Sequence, residues 1–73
     1  MGNFDRQLAW LRERVAHSAD HLADLESGRM KHFDLSGARP IDETAEWIDR
    51  LRNEIAMNKR YAAAYERKDR ELS

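Results

Sequence analysis

The sequence predicts an all-α fold: an antiparallel two-helix hairpin, coiled-coil-like, that pairs into a dimeric four-helix bundle. Three observations predict it. Apolar residues recur every three or four positions in two runs, a stretch holding Gly28, Ser36-Gly37 and Pro40 separates the runs, and charged residues fill most other positions. The chain has 73 residues, 41% of them hydrophobic and 37% charged, and no cysteine. A single domain, residues 1–73, is all that this length supports, and disulfide staples are excluded. Two helices with one narrow apolar stripe gain little net stability once the entropy of ordering the chain is included, so a second copy is the expected remedy.

Helix 1 is expected at about residues 4–27. Its seam is Phe4, Leu8, Leu11, Val15, Ser18, Leu22 and Leu25, alternately four and three apart, with Ser18 the one polar member. Asn3 is the expected N-cap, and Ser27-Gly28 supplies the glycine that follows a helix end. A longer version of this helix would run on to His32. The linker, about 28–41, is long for a helical hairpin. Met30, Phe33 and Leu35 in it are expected to fold back over the end of the core, the alternative being an exposed binding loop.

Helix 2 is expected at about 42–70, capped by Asp42. Ile41, Ile48, Ile55 and Ala62 hold one seam position, and Thr44, Leu51, Asn58 and Tyr65 the other. Acids crowd its first turns and bases its last, as the helix dipole favours. If Gly28 and Asp42 bracket the linker, facing residues have numbers adding to about 70. Trp47 then falls near Ala23 and Tyr61 near Ala9, small residues making room for rings. Ser18 and Asn58 could fix register, although Ser18 can also bond to its own preceding turn and Asn58 can reach water. The residues expected to build the core and the dimer are Leu8, Leu11, Val15, Leu22, Leu25, Ile41, Ile48, Leu51, Ile55 and Ala62.

The sequence holds no cluster of nucleophile, base and oxyanion donors and no phosphate-cradling loop, so it reads as a non-enzyme without cofactors. His17, His21 and Asp24 stand at i, i+4 and i+7 on one helix face, a spacing that can hold a divalent metal. A fourth ligand, His32, would reach them only if helix 1 bent back, so no metal is expected. Net charge is −1, yet at the open end Arg6, Arg12, Arg14, Lys59, Arg60, Arg67, Lys68 and Arg70 outnumber Asp5, Glu13, Glu66, Asp69 and Glu71. That excess makes nucleic-acid binding through Arg6, Lys59, Arg60, Arg67 and Lys68 an alternative, against the simpler account of charges answering the helix dipole. No run is apolar enough for a bilayer span or a signal peptide, and a cytoplasmic location is expected.

The leading functional expectation is a homodimeric protein-interaction module, an adaptor, regulator or inhibitor of a larger partner. Trp10, Phe33, Leu35 and Met57 are the candidate contact residues, being large apolar side chains off the seam or on the linker. Metal binding is a further alternative. A two-helix outline is common to many unrelated small proteins and transfers no function by itself.

Overall fold

The computed structural model describes residues 2–72. In chain order the elements are helix α1 (Asp5–Glu26), strands β1 (Phe33–Asp34) and β2 (Ile41–Asp42), and helix α2 (Thr44–Leu72). The helices pack against each other in opposite directions, so Asn3 meets Asp69 at one end while Glu26 meets Arg52 near the other. The hairpin measures 56 × 21 × 16 Å. Among the described residues no helix is long and apolar enough to cross a membrane.

Each helix end differs slightly from its sequence reading. Asn3 does not cap α1. Its backbone N–H and side-chain amide both donate to Asp69 Oδ1 of α2, at 2.9 and 3.3 Å, and Phe4 takes the cap position without a side-chain bond. At the other end Ser27 is the last cap residue, and Gly28 turns the chain out with φ +82°. Gly28 donates to the Leu25 carbonyl at 3.3 Å and Met30 to that of Asp24 at 3.1 Å, which satisfies carbonyls that the helix leaves open. Asp42 lies two residues before α2. There it accepts from the Thr44 N–H at 2.9 Å and the Thr44 hydroxyl at 2.5 Å, directing the chain into the first turn.

The linker, expected to be a loop, contains a small antiparallel ladder. Phe33 faces Asp42 and Asp34 faces Ile41. One further link, from the Glu43 N–H to the His32 carbonyl at 2.8 Å, continues it toward the helices. Ile41 therefore does not open the seam of α2. The residue after a proline and β-branched, it sits in extended chain and is 58% exposed. Met30, Phe33 and Leu35 do not close the core either: all three are exposed, because the ladder carries them away from the helix ends.

Leu8, Leu11, Leu25 and Leu51 form the buried core, with Ser18 buried among them. Val15, Leu22, Ile48, Ile55 and Ala62 are half-buried along the same seam. Phe4 stacks obliquely on Tyr65 with ring centroids 5.1 Å apart, close to the register expected from the linker. Ser18 does more than satisfy itself. Its hydroxyl donates across the seam to Glu54 Oε1 at 3.4 Å, and that oxygen also accepts from Arg14 at 2.6 Å.

The expected contact of rings with alanines is not formed. Reversing one helix sets like flanks of the two seams together, so Gln7, Arg14 and His21 face Tyr61, Glu54 and Trp47 in turn. The Arg14–Glu54 ion pair and the 6.3 Å approach of the His21 and Trp47 rings lie on this side. Ala9, Ala16 and Ala23 lie on the other flank and are exposed, as is Ala19. Two exposed ion pairs, Arg12–Glu66 at 3.2 Å and Arg52–Glu26 at 2.7 Å, also join the helices. Pairs of this kind contribute about 0–1 kcal/mol each, so they adjust the register more than they hold the fold.

Candidate interaction surface

The ring-bearing side of the hairpin divides into three parts along its length. At the loop end, Trp47 is half-buried beneath His32, whose ring stacks on it at 4.4 Å with 15° between planes. The Arg50 guanidinium lies 5.4 Å from the centre of the Trp47 ring, within cation–π range. Nε2 of His32 is 2.9 Å from Nε2 of His21. One ring must donate and the other accept, so the bond requires at least one neutral imidazole. His32 is fixed by its backbone as well: its N–H donates to the Thr44 hydroxyl at 3.1 Å and its carbonyl accepts from Glu43.

This arrangement separates the three candidate metal ligands of α1. His21 turns to His32, the Asp24 carboxylate lies 3.4 Å from Arg29, and His17 is exposed. The linker returns to α1 without any bend in the helix, because the ladder brings His32 back over the start of α2. Among the described residues, no group of three or more His, Cys, Asp or Glu could hold a metal ion.

The middle part is polar. Glu54 receives Arg14 and Ser18 there and interrupts the apolar surface. Beyond it, at the open end, lies a groove of about 960 Å³ between the helices. Leu11 and Tyr65 line it together with Trp10 and Tyr61, and Arg6 and Lys68 also border it. Trp10 is 59% exposed and Tyr61 51%. Among the described residues no carboxylate lines this groove. It has the size and apolar character of surfaces that receive another molecule's side chains.

Of the candidate contact residues, Trp10 thus belongs to the groove, whereas Phe33 and Leu35 stand at the opposite end on the ladder. Met57 is exposed on α2 and does not line the groove. Of the cationic candidates, Arg6 and Lys68 border the groove; Lys59, Arg60 and Arg67 are exposed elsewhere on α2. Sequence reasoning considered His32 only as a fourth metal ligand and Thr44 only as a seam residue, and it missed a repeated Asp-x-Ser/Thr pattern. Asp34 accepts from the Ser36 hydroxyl at 2.6 Å and N–H at 2.9 Å, as Asp42 does from Thr44. Those hydroxyl bonds first, and the N–H bonds second, hold both carboxyls below the usual carboxylate range. The two-residue spacing was the available signal.

Comparison with protein-family models, with curated proteins and with solved structures finds no match to this chain.

Proposed function

We propose that the chain is a non-catalytic protein-interaction module that works as a pair of helical hairpins, four helices in all, and serves a larger protein as adaptor, regulator or inhibitor. The observation carrying this reading is the open-end groove, where Trp10 and Tyr61 leave an apolar channel exposed on an otherwise charged molecule. Among the described residues four hydrophobic side chains are buried within one copy. Covering the groove would extend that small core across an interface, as packing in a helical bundle does. The exposed linker residues Phe33 and Leu35 form a second apolar surface.

Light scattering across a concentration series tests the reading. The expected mass is twice the 8.6 kDa of one chain, and the double variant Trp10→Lys, Tyr61→Lys is expected to be monomeric with its helix content kept. A wild-type chain that stays monomeric and fully helical at high micromolar concentration would refute it. Nucleic-acid binding through the open end is the weaker alternative, because three of its five candidate cations do not border the aromatic groove. A gel shift at low and high salt addresses it, since phosphate-driven binding falls steeply with salt.

A further inference from the structure

The projection and the hollow of this molecule belong to the same side of the hairpin, at opposite ends. The linker arm, residues 33–42, is anchored at His32, which rests on His21 and Trp47. The groove lies between the same helix flanks beyond the Arg14–Glu54 pair, bordered by Tyr61 and Lys68. A two-fold axis perpendicular to the hairpin, passing near that ion pair, exchanges the two ends. Shifted along the hairpin to lie midway between arm and groove, such an axis carries each arm to the other copy's groove.

From this placement we infer that the occupant of the open-end groove is the arm of a second copy, in an antiparallel dimer with two equivalent arm-in-groove contacts. The chemistry of the two surfaces matches. The arm offers Leu35, 73% exposed, and Phe33, 49% exposed. Beside them stand the carboxylates of Asp34 and Asp42, against one cation of the arm, Arg39. The groove offers rings and two cations, Arg6 and Lys68, with no carboxylate among its described lining residues. The larger charge pattern agrees. Residues 20–52 hold eight carboxylates and five cations, whereas the remaining residues hold six carboxylates and eight cations. Antiparallel pairing sets each negative half against a positive one, whereas parallel pairing sets like halves together. An isologous contact of this kind closes with two copies and leaves neither groove open.

This inference rests on the reading of the chain as a self-associating module, and its test separates the two. The sequence has no cysteine, so introduced thiols report without background. Leu35→Cys and Ala64→Cys, both at exposed positions, are purified separately, checked for helix content, and oxidised alone and as a mixture. The mixture is expected to give a disulfide-linked dimer, and each variant alone none, because like positions lie at opposite ends of the pair. Efficient self-crosslinking of Ala64→Cys would overturn the arrangement while leaving a dimeric module. A dimeric mass with no crosslink in the mixture would also overturn it. A monomeric mass for the unaltered chain would overturn both the arrangement and the module.

Discussion

At the loop end, Trp47 lies under a histidine ring with a guanidinium beside it; at the open end, Trp10 lies largely in water. The two ends use the same seam and the same helix flanks. They differ in whether the chain itself returns to cover them. The linker can reach only the end where the helices are joined, so the free end keeps its rings exposed. A hairpin of this length thus covers Trp47 at one end with its own linker and leaves the rings at the other end exposed.

The largest expected effect compares buried leucines at the two ends. Leu25→Ala near the linker should lower the free energy of unfolding by about 2–5 kcal/mol, measured by denaturant titration. Leu8→Ala should fall at the lower end of that range if the open end frays in a single copy, and equal costs at both ends would show that the ends are equally tight. The tryptophans sharpen the contrast further. Trp47→Ala should destabilise by roughly 2 kcal/mol, since it removes the surface on which His32 rests. Trp10→Ala should change the stability of one copy by no more than about 0.5 kcal/mol. It should instead weaken dimerisation, read as a higher dissociation constant in sedimentation equilibrium.

Gly28→Ala tests the covered end through the backbone. Its φ of +82° suits glycine, and an alanine there should cost about 1 kcal/mol, read as a lower melting temperature. Acid provides the smallest effect. Asp34 and Asp42 have carboxyls held below the usual carboxylate range in the folded chain. Their contribution is therefore present above the unfolded value and lost as pH falls through the folded one. Protection of the amides in residues 33–44 against hydrogen exchange, relative to the intrinsic rate at each pH, should fall at pH values below about 3.9 before the centres of the helices respond, and Asp42→Asn should reduce that pH dependence.

The two helices were legible in the sequence because an apolar residue every three or four positions admits one regular structure. Their ends were less so. Asn3 looks like a cap until Asp69, sixty-six residues away, provides a competing partner. The ring contacts were assigned to the wrong flank because a heptad pattern names the flanks of one helix without saying which meet when the partner runs in reverse. The ladder was too short for alternation to reveal, with two residues per strand. His32 could not be placed on Trp47 before the path of the linker was known. By contrast, Trp10 was readable as an exposed ring, since it stands clear of the seam, although its groove requires Tyr61 and Tyr65 from the other helix.

The shared oxygen of Glu54 has a mechanical consequence. Sliding one helix along the other would take Ser18 away from its acceptor and separate Arg14 from its carboxylate, leaving a hydroxyl in an apolar seam. Spreading the free tips apart must break the Asn3–Asp69 bonds and part Phe4 from Tyr65 as well. The clasp at mid-length and the tie at the tips therefore resist different motions, the first a slip of register and the second a widening of the aromatic channel.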